Sequence, residues 1–169
     1  MTRGRRIDLE AVRRELAGRC FICELLAGNP EYGHQVVYED DHSIAFLQRF
    51  QTLYGYVLVA PKDHREHVVG DFSTDDYLAL QAVVHRVGRA LCRAVQTERL
   101  YVLSLGSRQA NAHVHWHLAP LPPGLPFEQQ QLAALDSHFG LDLREDELED
   151  LANRIRAALE ETGKERPSA

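Results

Sequence analysis

A chain of 169 residues with 44% hydrophobic and 26% charged side chains sits near the globular average, which excludes a disordered chain, a collagen and a coiled-coil rod. Its 25 acidic against 19 basic residues give a net charge of −6, so there is no basic excess to serve a nucleic-acid backbone, and nucleic acid is not an expected partner. The apolar runs are too short to span a bilayer, the start lacks the apolar segment of a signal peptide, and three cysteines suit a reducing cytoplasm better than a disulfide framework.

Leu9, Val12 and Leu16 recur at helical spacing among charges, which predicts a short helix over 8–17 with Asp8 as its N-cap. Cys20-Phe21-Ile22-Cys23 leads into a helical turn that Gly28-Asn29-Pro30 stops. Gln35 to Tyr38 and Ser43 to Leu47 read as a hairpin, and Gly55 to Pro61 as a β-branched strand closed by proline. A polar loop holding His64 and His67 runs from Pro61 to Gly70.

Ser73-Thr74-Asp75-Asp76 is a helix start, with a hydroxyl cap and acids on the positive end of the dipole. That helix is predicted to reach about Val95, its buried face made by Leu78, Ala82, Val84, Val87, Leu91 and Val95, with Cys92 in the core beside them. Strands follow at Leu100 to Leu105 and His113 to Ala119, and the prolines from Pro120 to Pro126 are expected to break regular structure. Helices are expected over 127–135 and 145–159, the second as a solvated charged face. Strands joined by tight turns predict an α+β fold, an antiparallel sheet of about five strands with one long helix and short flanking helices.

His113-Val114-His115-Trp116-His117-Leu118 is the most informative stretch. In a strand alternate side chains share a face, so the histidines are expected on one side and Val114, Trp116 and Leu118 in the core on the other. Three histidines in strict alternation suit chemistry better than a solvated strand. The outer two are separated by about 13 Å of rise, too far to share one metal without a bend. At least one histidine is then left as a nucleophile or proton donor.

This pattern resembles the signature of the histidine triad (HIT) superfamily of nucleotide hydrolases and transferases. The resemblance extends to Val37-Tyr38-Glu39-Asp40 with Ala45-Phe46-Leu47, to Gly55 through His64 with its Pro-Lys-x-His loop, and to Gln109 ahead of His113. It covers about residues 20–120 and implies a HIT-like catalytic body over 20–126, with an N-terminal helical extension over 1–19 and a C-terminal helical extension over 127–169 packed on the same domain. It also implies that His115 attacks the α-phosphate of a nucleotide, that a nucleotidyl-imidazole intermediate forms, and that His117 meets the phosphate or the leaving group.

Cys20-x-x-Cys23 has metal, redox and plain core readings. No strand precedes it, as a thioredoxin-like site needs. In the zinc-containing bacterial-type branch of the superfamily such a pair joins two histidines on zinc, which here implies a structural zinc on Cys20, Cys23, His64 and His113. The resemblance further implies a homodimer, which the lightly charged strand Leu100 to Leu105 and the off-stripe Tyr77, Leu80 and Val83 also favour.

The substrate-reading positions depart from the family. Its ribose aspartate is Gln48, its Gly-His pair is Gly55-Tyr56, and its Asn-x-Gly reads Ser104-Leu105-Gly106. Arg108 and Ala110 replace a glycine and a hydroxyl residue, and the guanidinium of Arg108 is suited to grip phosphate. Gln48, Ser104, Arg108, Gln109 and His117 are therefore the expected substrate and phosphate contacts. Three functions follow: a nucleotidyl hydrolase or transferase of dinucleoside polyphosphates or phosphoramidates, a nucleotide-binding module with little turnover, and a metallohydrolase, which the strand geometry disfavours. His34, His42, His67, His85 and His138 have no motif role and are expected on the surface.

Overall fold

The computed structural model describes residues 4–105 and 111–164. In chain order these form β1 (Gly4–Arg6), α1 (Leu9–Leu16), α2 (Phe21–Leu26), a 3-10 turn (Pro30–Tyr32), β2 (Val36–Glu39), β3 (Ser43–Leu47) and β4 (Val57–Pro61). Then come α3 (Thr74–Ala94), β5 (Arg99–Leu103), β6 (Trp116–Leu121), α4 (Phe127–Leu135), β7 (Phe139–Leu141) and α5 (Glu145–Lys164). The fold is α+β. Its centre is a five-stranded antiparallel sheet in the order β2-β3-β4-β6-β5.

Local chemistry sets the element ends. The Asp8 carboxylate accepts from Ala11 N–H at the start of α1, and Ser73 Oγ accepts from Asp76 N–H at the start of α3. Asp40 Oδ1 accepts from His42 and Ser43 N–H, which closes the β2–β3 turn.

The sheet has two differently dressed faces. On one, Ala45, Leu47, Val57, Val59, Trp116 and Leu118 pack under Leu80, Val84, Val87 and Leu91 of α3 and Leu151, Ile155 and Leu159 of α5. On the other, Ile44, Phe46, Tyr56, Leu58 and Ala60 meet Ile22 of α2 and Ala134 of α4. His117 pairs with Leu58 across the β4–β6 ladder, so it belongs to this second face.

Several expectations change. The buried stripe of α3 is Leu80, Val84, Val87, Leu91 and Val95, while Leu78 is 58% exposed and Ala82 is exposed too. Two residues along a helix turn the side chain by about 200°, so a stripe holding both Leu78 and Leu80 is impossible, and the i, i+4, i+7 series from Leu80 wins. Leu80 is buried within the chain and Tyr77 packs on Phe72 and Trp116, so neither is left over for a partner. Cys92 is exposed, not core.

β6 starts at Trp116 rather than His113 and continues through Pro120 to Leu121. Pro120 lies past the last β4 pair, Val57 with Leu118, so no β4 carbonyl waits for its missing N–H. α5 is amphipathic rather than merely solvated, since its apolar residues close the core over α3. The short β1–β7 ribbon was not expected. Its three-residue strands pair Gly4 with Leu141 and Arg6 with Phe139, and Gly4, Arg5 and Arg6 are all exposed.

The connection between β3 and β4 is held by one buried side chain. Gln51 donates to the carbonyls of Gln48 and Tyr56, and its Oε1 accepts from Gly55 and Tyr56 N–H, each at 2.9 Å. Gly55 has φ +89°, and a Cβ there would lie 2.8 Å from Val95 Cγ2, so this clamp works only around a glycine. None of the helices among the described residues is long and apolar enough to cross a membrane.

Candidate functional site

Two strand ends and a loop bring the histidines together. The loop after β4 carries His64 and is braced by Asp71, whose carboxylate accepts from the N–H groups of Glu66 and His67 at 2.8 Å. Val114 N–H donates to the Arg65 carbonyl at 2.7 Å, which draws the segment before β6 to the same loop and puts a bend at His113. The three triad histidines therefore do not stand in one regular strand. The bend separates His113 from the other two.

His113 is fully buried, and its Nε2 lies 2.8 Å from the Pro61 carbonyl. A carbonyl can only accept, so Nε2 carries the proton and Nδ1 is the free nitrogen. That nitrogen lies 3.4 Å from Cys20 Sγ and 3.6 Å from Cys23 Sγ, and His64 Nδ1 lies 3.3 Å from Cys23 Sγ. The four donor atoms lie within 4.8 Å of one another. A tetrahedral zinc site with metal–sulfur bonds of about 2.3 Å and metal–nitrogen bonds of about 2.0–2.1 Å has sulfur–nitrogen edges of about 3.6 Å, so this donor set fits zinc. The Cys20 sulfur accepts from Cys23 N–H, and Glu66 Oε1 stands 3.4 Å from the outer nitrogen of His64, where a carboxylate orients a ligating imidazole. Burial and the neighbouring Cys20 push the Cys23 thiol up to about 11, so metal binding must displace its proton.

His115 is turned the other way. Its Nδ1 lies 2.7 Å from the His113 carbonyl, so Nδ1 holds the proton and Nε2 keeps its lone pair. Its ring centroid lies 4.7 Å from that of His117. Burial holds both rings below the ordinary histidine range, His117 at about 3, with the neighbouring His115 adding to its shift. His113 is lowered to about 4, first by burial. All three are neutral imidazoles near neutrality, the form in which a ring nitrogen can attack or ligate.

The remaining expected contacts are placed unevenly. Gln48 follows β3, and its Oε1 is buried without a hydrogen-bond partner among the described residues. Ser104, expected at the phosphate, spends its one proton on the His115 carbonyl at 2.9 Å. Arg108 and Gln109 lie outside the described residues.

Three residues have a larger place than their sequence context suggested. His34, expected on the surface, stacks on Phe21 at 5.7 Å and meets Phe46 edge-on at 5.1 Å, and Phe21 in turn faces His115 at 6.3 Å. Tyr56 places its hydroxyl 3.3 Å from His117 Nδ1. Gln51 fixes the backbone on both sides of that tyrosine. The Gly-Tyr departure signalled Tyr56, whereas nothing in the local pattern marks His34 or Gln51. His42, His67, His85 and His138 are exposed, as expected.

The depressed histidines have a consequence for folding. The folded pKa of His117, about 3, lies below the ordinary value of 6.5. Between these values the unfolded chain binds more protons than the folded one, so the stability from keeping this ring neutral is full above about pH 6.5 and is lost as pH falls toward 3. Urea unfolding between pH 7 and pH 4 should show a steeper loss of stability for the wild type than for His117→Asn. Parallel pH profiles for the two proteins would exclude this assignment.

The model of the HIT domain family matches residues 29–123. The protein hit of Bacillus subtilis is 33% identical over 109 residues, covering 62% of this chain and 72% of its own. The adenosine 5'-monophosphoramidase hnt1 of Schizosaccharomyces pombe is 28% identical over 140 residues, covering 74% of this chain and 98% of its own. A solved Zn-bound histidine triad family protein from Mycobacterium smegmatis shares the fold with a TM-score of 0.67 at 21% identity, covering 86% of this chain and 96% of that one. The family match takes in β2 through β6, the loop with His64 and all three triad histidines, and it spans more than half of the sequence, so this chain belongs to the HIT domain family.

Proposed function

We propose that this protein cleaves or transfers a nucleoside monophosphate from a phosphoanhydride or a phosphoramidate, through a covalent nucleotidyl intermediate on His115. The observation that carries this reading is the 2.7 Å contact from His115 Nδ1 to the His113 carbonyl, which leaves Nε2 unprotonated in a neutral ring. Nε2 attacks the α-phosphorus, a P–N bond forms, the P–O or P–N bond to the leaving group breaks, and the leaving group departs with that electron pair and takes up a proton from solvent. Water or another acceptor then attacks the phosphorus, and the P–N bond breaks back onto Nε2. The family match and the named activity of the phosphoramidase relative support this class of reaction.

The supporting residues follow the same logic. His117 stands beside the nucleophile, within reach of the leaving group and of the water that replaces it. Arg108 and Gln109, ahead of β6 in the sequence, supply further phosphate donors. The unpartnered Oε1 of Gln48 accepts from a sugar hydroxyl. Ser104 acts on the backbone of His115.

Cys20, Cys23, His64 and His113 hold a zinc ion. Four protein ligands leave no open position, so the ion acts as a cross-link that fixes α2 against the approach to β6. The active form is a homodimer located in the cytoplasm. β5 is an edge of the sheet, with Val102 48% exposed. A groove of about 560 Å³ between β5 and α3 continues from that edge, with apolar Val84, Leu100 and Val102 and the cationic Arg89 and Arg93 among its lining residues. A second copy would bury this edge.

A second reading, a nucleotide-binding module with little turnover, draws on the amide at position 48 and the engaged hydroxyl of Ser104. Following a panel of nucleoside phosphoramidates and dinucleoside polyphosphates by mass spectrometry separates the two. Products should form, and His115→Ala should lower turnover at least about 10³-fold while the fold and metal content persist. Binding without products would favour the module. Unchanged turnover in that variant would exclude the nucleophile.

Protein purified without added metal should contain about one zinc per chain, and chelation should lower its melting temperature. A stripped protein that melts unchanged would rule out the cross-link. Light scattering at micromolar concentration should give twice the chain mass. A value near 19.2 kDa would mean that β5 stays an open edge.

A further inference from the structure

Tyr56 is a buried residue immediately before β4, on the sheet face that carries His117. Its ring stands edge-on to the His117 ring, with centroids 5.9 Å apart and planes at 87°. Its hydroxyl has two neighbours. It donates to the carbonyl of Ala134, in the last turn of α4, at 3.1 Å, and it lies 3.3 Å from His117 Nδ1.

A phenol has one proton, and a carbonyl can only accept. The proton therefore goes to Ala134. Burial pushes the phenol above its ordinary range, so the proton stays on at any physiological pH. What remains for His117 is an oxygen lone pair, which can only accept. Both contacts hold at once only if His117 Nδ1 carries a proton and donates it to Tyr56.

We propose that Tyr56 is a positioning residue that fixes His117 in its Nδ1–H form and ties that choice to α4. The inference deepens the reading of His115 as nucleophile and rests on it for its chemical consequence. A neutral His117 held this way has its lone pair on Nε2. When water attacks the nucleotidyl phosphorus, a P–O bond forms, the P–N bond to His115 breaks with its electron pair returning to His115 Nε2, and the proton of the water passes to His117 Nε2, which the anionic phosphoryl group beside it makes more basic than in the free protein. A ring in the opposite tautomer would offer that nitrogen as a donor and could not take the proton. The tyrosine thus acts on the water step without touching the substrate. It also brings α4, a helix beyond the residues matched to the family, to bear on the triad.

The test uses the full-length zinc-loaded protein with ¹⁵N-labelled histidine, compared with Tyr56→Phe, which keeps the ring and removes only the hydroxyl. In the free wild type, the ring-nitrogen shifts of His117 should report a protonated Nδ1 and a bare Nε2, and in Tyr56→Phe the Nε2–H form should appear. With a turned-over nucleotide, kcat should fall about tenfold while KM stays within about twofold, the split expected for an interaction that acts during the reaction. His117 in the Nε2–H form in the wild type, or an unchanged tautomer in Tyr56→Phe, would overturn the proposal. The spectra are taken without substrate, so a tautomer that responds to Tyr56→Phe in a protein that turns over no nucleotide keeps the tether and discards the phosphoryl chemistry instead.

Discussion

An imidazole has two nitrogens and, when neutral, one proton, and the site is built on deciding where that proton sits. His113 meets the carbonyl of Pro61 and His115 meets the carbonyl of His113. The two carbonyls commit opposite ring nitrogens, Nε2 in one and Nδ1 in the other. The same side chain therefore turns a bare Nδ1 to the cysteine pair at one position and offers a bare Nε2 two residues later. Neither choice needs an acidic partner. Both are fixed by backbone geometry, through the end of β4 and the bend that the Val114 to Arg65 hydrogen bond imposes.

That backbone is in turn fixed by pieces distant in sequence. β4 is the middle strand of the sheet, with β3 on one side and β6 on the other, and both ladders are largely buried. A slip of one residue between β4 and β6 would carry His117 to the face occupied by Trp116 and Leu118, against α3. The apolar packing of α3 and α5 thus protects the register of the histidines from behind. Gln51 protects it from the side, since four hydrogen bonds from one amide hold the chain that enters β4.

What could be read from the sequence was what is encoded locally. Ser73 before two aspartates marked the start of α3, the runs Gln35 to Tyr38 and Ser43 to Leu47 marked a hairpin, and the alternating histidines marked the site, because each signal lies within a few residues of its effect. The features that escaped are settled between distant segments. The start of β6 at Trp116 depends on a bond from Val114 to a loop almost fifty residues earlier. The exposure of Cys92 depends on which side of α3 is met by α5 and the sheet. His34 had no motif, and its place against Phe21 and Phe46 arises only when α2 folds onto β3. The β1–β7 ribbon escaped because its strands pair through backbone groups and leave Gly4, Arg5 and Arg6 exposed, so no hydrophobic alternation announces it.

The ribbon also bears on the order in which the molecule is completed. Gly4 to Arg6 find their partners only at Phe139 to Leu141, a closure of roughly 130 residues whose entropic cost grows only with the logarithm of its length. On a ribosome this segment leaves the exit tunnel early and stays unpaired while the five-stranded sheet and α3 are made. Ile7, which is buried beside Gly140 and donates its N–H to the His138 carbonyl, has no shelter until then. The earliest described residues to be synthesised are thus among the last to be enclosed, and the ribbon closes over a body whose histidines are already in register.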